Sequence, residues 1–232
     1  MTPAGGDGGG HFDGEFGRQY ETLAVRSIPA YDALFQMAKG LLEEAVGENA
    51  NMLIVGAGGG KEIATFGANS GWRFTGVDPS AQMLAFAQAK ADQQGISDRV
   101  HLQVGYAADL PLEPLYDAAT CILVLHFVPN DGAKLALLKD IAARLKIGAP
   151  LVLASVFGDE ESLGRARPVW RRFQRDNGRT VEDIESTSAA LRHSNYPTTE
   201  ARLLELLREA GFTDIYHFYT ALWFGGWVMR KK

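Results

Sequence analysis

The sequence predicts an α/β fold built on a mostly parallel sheet, and three observations carry that expectation. Between residues 49 and 157, short apolar runs alternate with amphipathic stretches of helical period. The first apolar run, MLIV, empties into a glycine-rich turn. Past Gly211 the rhythm changes to two β-rich runs about two residues apart, which pair as an antiparallel hairpin at one sheet edge. Strand–helix alternation of this kind requires right-handed crossovers and a sheet covered on both faces.

Taken in order, Phe16 to Val46 places Tyr20, Leu23, Ala24, Tyr31, Leu34, Phe35, Ala38, Leu41 and Leu42 at three- and four-residue steps. Ser27-Ile28-Pro29 divides this stretch into two helices, because the residue before a proline avoids the helical region. After the first strand a short helix starts near Lys61, and WRFTGVD reads as the second strand. Ser80 to Gln94 is a helix with Met83, Leu84, Ala87 and Ala91 on one face. Val100–Val104 and Ala118–Leu125 are strands, and Asp131–Ile147 is a helix ended by Gly148 and Pro150. Leu151–Phe157 is the fifth strand. Residues 159–197 form a charged helical insertion, Thr199–Ala210 a helix, and Thr213–Tyr219 with Leu222–Met229 the closing hairpin. The resulting division is a leader over 1–15, a helical cap over 16–48, a core over 49–158, the insertion over 159–197, and a completing unit over 198–232.

The 232 residues suit one domain, and 46 % apolar content is enough for a sizeable core. Glycine is in excess: 26 residues, where average usage of roughly 7 % gives about 16. Seven of them lie in the first 17 residues, a stretch too poor in apolar surface to offset the entropy of ordering it, and four lie at positions 56 to 60. The net charge of −5 argues against bulk nucleic-acid binding, which rests on clustered Lys and Arg. Cys121, the one cysteine, sits in an apolar run and behaves as a small hydrophobe, so a reducing cytoplasmic setting is expected. No apolar stretch is long enough for a membrane span, and the N-terminus lacks a signal-peptide pattern.

Chemistry concentrates first in Val55-Gly56-Ala57-Gly58-Gly59-Gly60-Lys61. Glycines at a strand end let the backbone turn sharply and come close to a ligand. The dinucleotide fingerprint G-x-G-x-x-G would need glycine where Lys61 stands, and the phosphate-loop pattern fails as well. Asp78 closes the second strand 22 residues after Gly56, where a carboxylate can accept both hydroxyls of a ribose. Helix capping is the plainer role for Asp78, but Pro79 and Ser80 already supply a helix start.

In sequence, VGAGGG, GVDPSAQML, VGYAADLPL, CILVLHFVPND, LKIGAPLVLA and REAGF before a hairpin resemble the successive landmarks of class I S-adenosylmethionine-dependent methyltransferases, over roughly residues 16 to 230. The resemblance implies a Rossmann-like, seven-stranded sheet with S-adenosylmethionine across its carboxyl edge. The turn Gly56-Ala57-Gly58 would pass beneath the methionine moiety and Asp78 would hold the ribose. Pro79 and Met83 would pack near the adenine, Tyr106 and Ala107 would line its other side, and Ile122 and Leu123 would lie beside the sulfonium. Two positions depart from the family pattern: Ile54 replaces an acid two residues before the first glycine, and Tyr106 replaces an aspartate in the third landmark. Each loss removes an acceptor, the first for the cofactor's amino group and the second for the adenine amine.

Within that class, RSIPAYDALFQMAKGLLEE, FQRDNG and the closing FGGWVMRK are similar to carboxy-S-adenosylmethionine synthases of tRNA wobble modification. That likeness implies that Tyr31 reaches the cofactor from the N-terminal helices. It also implies an arginine, in the helix before Ala210-Gly211-Phe212, that holds the extra carboxylate; Leu206 stands there, with Arg202 and Arg208 on other faces. An ordinary methyl donor and a small-molecule acceptor are therefore expected. The carboxylated cofactor, a non-catalytic cofactor-binding member and a nicotinamide-dependent reductase are the alternatives.

Tyr20, Tyr31, His126 and His193 are the candidates at the cleft mouth, and none is assigned as a catalytic base. Arg165, Arg167, Arg171, Arg172, Arg175 and Arg179 interleave with Trp170 and Phe173. Such a segment is either an anion-binding patch or a solvated helix face whose aromatics pack on the body or on a second copy of the chain, as in a homodimer.

Overall fold

Two helices, α1 (Glu15–Ser27) and α2 (Tyr31–Val46), precede the first strand in the structure, a computed structural model that describes residues 14–191 and 194–232. All but the last two residues of the expected leader lie outside the described residues, as does His193. Then come β1 (Asn49–Val55), α3 (Lys61–Phe66), β2 (Gly71–Asp78), α4 (Ala81–Gln93), β3 (Val100–Val104) and β4 (Ala118–Ile122). The chain continues through α5 (Ala133–Ala143), β5 (Pro150–Val156), α6 (Glu160–Asp176), α7 (Val181–Leu191) and α8 (Glu200–Glu209), and closes in β6 (Phe212–Ala221) and β7 (Phe224–Lys231).

The strands make one seven-stranded sheet in the order β3-β2-β1-β4-β5-β7-β6. The first five are parallel, whereas β7 runs antiparallel to both β5 and β6. The strand order reverses direction between β1 and β4. A crevice therefore opens at the carboxyl ends of those two strands, where neighbouring connections leave for opposite faces.

One face of the sheet is covered by α1, α2, α3 and α4, whose Ala24, Leu34, Phe35, Ala38, Ile63 and Ala87 pack against Met52, Ile54 and Trp72. On the other face, α5 and α8 bury Leu138, Ile141, Leu203 and Leu207 against Leu53, Val55 and Leu151. The N-terminal cap is thus a layer of the core itself. Its two helices break where the proline was expected to break them, and Ala30 takes a left-handed φ of 56° at the start of α2. Lys61, the residue that spoils the dinucleotide fingerprint, fixes this cap in place. Its ammonium lies 2.6 Å from Asp32 Oδ1 and 3.7 Å from Glu21 Oε1, and sits over the Tyr31 ring.

Two elements are shorter than the sequence reading. Strand β4 ends at Ile122 instead of Leu125, because Leu123 turns to a left-handed φ of 61° while its N–H still reaches Ala154 O at 2.7 Å. Helix α5 begins at Ala133 because Gly132 has φ 105°, and it stops at Ala143. Beyond it, the buried Arg144 guanidinium turns to the carbonyls of Ala108 and Leu110. Lys134 is also buried; its ammonium donates to the carbonyls of Leu125, Val128 and Tyr196 at 2.6 to 2.8 Å, tying the turn after β4 to the end of the insertion.

The insertion docks through its aromatics. Trp170 donates its indole N–H to Ser27 O at 2.6 Å and packs 5.0 Å from the Trp223 ring. Arg179 is buried and binds Ser27 Oγ, Gln174 Oε1, Asp183 O and Thr187 Oγ1. The other five arginines are exposed. Arg165 and Arg172 pair within α6 to Glu161 and Asp176. The solvated-face reading of this segment therefore describes its packing.

Gly60 shows how tightly the first turn is set: its φ is +77°, and an added Cβ would lie 2.7 Å from Ala87 Cα. Backbone strain plus overpacking should make Gly60→Ala about 2–4 kcal/mol less stable in urea unfolding. Unchanged stability would show that α3 and α4 are not in the contact described.

Candidate cofactor site

The glycine turn is closed below and open above. Gly56 and Ala57 both donate their N–H to Val77 O at 2.9 Å, which pins the turn to β2. Gly56, Gly58 and Gly60 all have positive φ, and a Cβ on Gly56 would fall 2.2 Å from Val124 Cγ2. Over Gly58 and Gly59 the nearest atoms to an added Cβ are 3.6 to 3.8 Å away, with Met83 Cε among them. Only glycine permits both the left-handed backbone and the close approach from below.

Asp78, at the end of β2, accepts the N–H of Gly58 through Oδ2 and the N–H of Ser80 through Oδ1, both at 2.9 Å. Capping of α4 belongs to Ser80, whose hydroxyl accepts from Met83 N at 3.1 Å. The expectation that α4 starts without Asp78 holds, and the carboxylate gains a structural duty as the clasp between the turn and β2. A carboxylate accepts roughly four hydrogen bonds, so holding the turn and holding a diol are compatible.

Around this clasp the structure gathers the other expected positions at the ends of neighbouring strands. Pro79 follows Asp78 directly, and Met83 is buried beside the turn. Past β3, Ala107 is buried and Tyr106 is 54 % exposed; the Tyr106 N–H donates to Asp109 Oδ2 at 2.8 Å. Ile122 and Leu123 are buried at the end of β4. The left-handed Leu123 stores on the order of 1–3 kcal/mol, a kind of strain that clusters at ligand sites. Tyr31 is buried at the start of α2, edge-on to Phe35, under the ammonium of Lys61.

The titratable groups sort into structural and cleft-facing. His126 is buried, and its Nδ1 accepts from Val156 N at 3.3 Å beside Ser155 Oγ. Burial first, and then the Lys134 charge, push it down to about 3. It is a neutral packing residue, unsuited to take a proton. Burial raises the phenols of Tyr20 and Tyr31 well above the ordinary tyrosine range, helped in both cases by Glu62. Burial likewise pushes the Cys121 thiol up to about 12.

Glu62 is the group the sequence reading passed over. It lies in the first turn of α3 and is 3 % exposed, and its carboxyl is pushed up to about 8, chiefly by burial. The available signal was an acid two residues past the last glycine of the turn, followed at once by apolar Ile63. Among the described residues no group of three or more His, Cys, Asp or Glu could hold a metal ion.

Residues 52–148, spanning β1 to the end of the α5 region, match the family profile described as a methyltransferase domain. Over this stretch the chain is similar to methyltransferase domains. Over 95 % of its length, the chain is 25 % identical to the carboxy-S-adenosyl-L-methionine synthase of Glaesserella parasuis, covering 92 % of that protein. Over 62 % of its length it is 30 % identical to the demethylmenaquinone methyltransferase of Lactiplantibacillus plantarum, covering 60 % of that protein. In fold it superposes with a TM-score of 0.68 on the magnesium protoporphyrin IX methyltransferase of Synechocystis, solved with bound S-adenosylhomocysteine. That match is 16 % identical and covers 97 % of this chain and 98 % of the other.

The buried carboxyl of Glu62 gives stability a pH dependence with a definite sign. The raised folded-state pKa of Glu62 means that the unfolded chain ionises first as pH rises past 4.5, while the native state follows only near 8. Its contribution to stability is full below pH 4.5 and is lost between those values. Glu62→Gln should therefore leave the unfolding free energy in urea little changed at pH 5 and raise it at pH 8.5, by an amount on the order of a few kcal/mol. Equal shifts at the two pH values would contradict the burial of an uncompensated carboxyl.

Proposed function

We propose that this protein transfers a methyl group from S-adenosylmethionine to a small-molecule acceptor. The observation that carries the reading is the Asp78 clasp: a strand-end carboxylate 2.9 Å from the amide of a glycine turn that is open above, at the point where the sheet order reverses. Those residues fit the cofactor's chemistry. The carboxylate suits the ribose diol, the exposed Tyr106 beside the buried Met83 and Ala107 suits the base, and the buried Ile122 and Leu123 suit the sulfonium region.

When bound, the cofactor supplies a methyl group on an electron-poor sulfur. The chain's part is to orient and dry the site. Rigid seating of two reactants in line provides much of the rate in such transfers, and a base is needed only when the acceptor carries a proton. A cavity of about 630 Å³ lies beside the carboxyl end of β5, lined by Gly158, Leu163, Arg167, Asn195 and Thr198. Its size suits a small molecule. We place the protein in a reducing, cytoplasmic setting on the strength of the buried free thiol of Cys121.

A second reading is favoured by the near full-length similarity to a carboxy-S-adenosyl-L-methionine synthase. Against it, Leu206 is buried in the core, and Arg202 is held by Glu205 and Glu209 on the outer face of α8. No arginine stands at the position from which the resemblance would have it grip a carboxylated cofactor.

Isothermal titration of the purified protein should show one site for S-adenosylhomocysteine in the micromolar range, about 8 kcal/mol of binding free energy. No heat of binding up to millimolar ligand would overturn the proposal. Tighter binding of a carboxylated analogue than of S-adenosylmethionine would favour the synthase reading.

A further inference from the structure

We infer that Glu62 receives the ammonium of the cofactor's amino-acid moiety, replacing the carboxylate that the strand-end position Ile54 lacks. The inference rests on the S-adenosylmethionine reading above. It starts from sheet register. Ile54 on β1 pairs with Thr120 on β4. Alternation puts Ile54 with Met52, and Thr120 with Ala118 and Ile122, on the sheet face that α2 and α3 cover. An acid at position 54 would project onto that face, beside Thr120.

Glu62 brings a carboxyl to the same place from the helix side. Thr120 is near enough to favour its charged form, yet Glu62 Oε1 and Thr120 Oγ1 are both buried without a partner in hydrogen-bonding geometry. Glu62 is 3 % exposed and Thr120 is fully buried. The groups acting on this carboxyl are its own backbone N–H, Thr120, Asp78 and Lys90, and it in turn acts on Tyr20 and Tyr31. Of these only Lys90 is cationic, and its ammonium is bonded to Glu21. Lys61, next in sequence, is committed to Asp32.

A carboxyl shut away without a cation costs several kcal/mol, and a glutamine or leucine at position 62 would avoid that cost. The carboxyl lies two residues past the glycine turn, the part of the chain that the cofactor reading sets beneath the methionine moiety, and within the electrostatic reach of Asp78. A cationic amino group entering there would supply the missing partner, and Oε1 and Thr120 Oγ1 would both gain a donor.

The test compares three ligands against wild-type protein and Glu62→Gln by calorimetry: S-adenosylhomocysteine, its analogue lacking the amino group, and 5′-methylthioadenosine. Wild-type protein should bind S-adenosylhomocysteine about 10- to 100-fold more tightly than the deamino analogue, the worth of a charge-assisted hydrogen bond. Glu62→Gln should lose that preference while holding the other two ligands within about twofold. Equal wild-type affinity for S-adenosylhomocysteine and the deamino analogue would overturn the assignment without any variant. So would a Glu62→Gln protein that weakens all three ligands alike, the result expected of a merely structural residue. If wild-type protein binds none of the three, the cofactor reading fails and this assignment with it.

Discussion

Between β1 and α3 the backbone must reverse within five residues over a packed core. Three glycines with positive φ make the reversal, two N–H groups end on Val77 O, and a third ends on the Asp78 carboxylate. Each bond is worth about 1 kcal/mol net, and somewhat more where the acceptor is charged. Together they hold the ends of β1 and β2 in a single geometry. The rest of the site follows from that clasp, because the turn sets where α3 starts, how close α4 approaches, and what surface faces the crevice. Val124 filling the space under Gly56 extends the same constraint to the end of β4.

The helices outside the sheet are coupled to this turn by charge and by aromatic packing. Lys61 leaves the turn and holds Asp32 and Glu21 of the N-terminal helices, so the helix layer over Ile54 and Thr120 is fastened where the turn ends. Ser27, at the end of α1, is in turn the anchor of the insertion, bonded by Trp170, Gln174 and Arg179. The exposed ion pairs on α6 add little, since solvent-facing pairs contribute at most about 1 kcal/mol. The docking of the insertion therefore depends on its aromatic and buried polar contacts, Arg179 included, more than on its five exposed arginines.

Features governed by local chemistry were legible in the sequence. The break at Pro29, the Ser80 cap and the closing hairpin each have a short-range signal, the mostly parallel sheet follows from strand–helix alternation, and each is found in the structure. What escaped is governed by tertiary surroundings. A left-handed leucine at 123 has no signature, because the packing that tolerates its strain comes from other strands. His126 and Arg179 look available for chemistry in the sequence, and burial makes both structural. Glu62 reads as one more acid at a helix start until the fold closes over it. The absence of an acid at Ile54 was plain from the sequence; that another carboxyl reaches the same face was visible only once β1 and β4 were in register.

The central claim is that the cofactor lies across the carboxyl edge, from the glycine turn past Asp78 to the end of β4. Backbone hydrogen exchange with and without saturating S-adenosylhomocysteine tests it segment by segment, because an amide shielded by a ligand exchanges more slowly. The account predicts slowed exchange at residues 56–60, 78–83, 105–107 and 122–124, with α6 and α7 little changed. Protection confined to the cavity around residues 158–163 and 195–199, with the glycine turn unaffected, would contradict it.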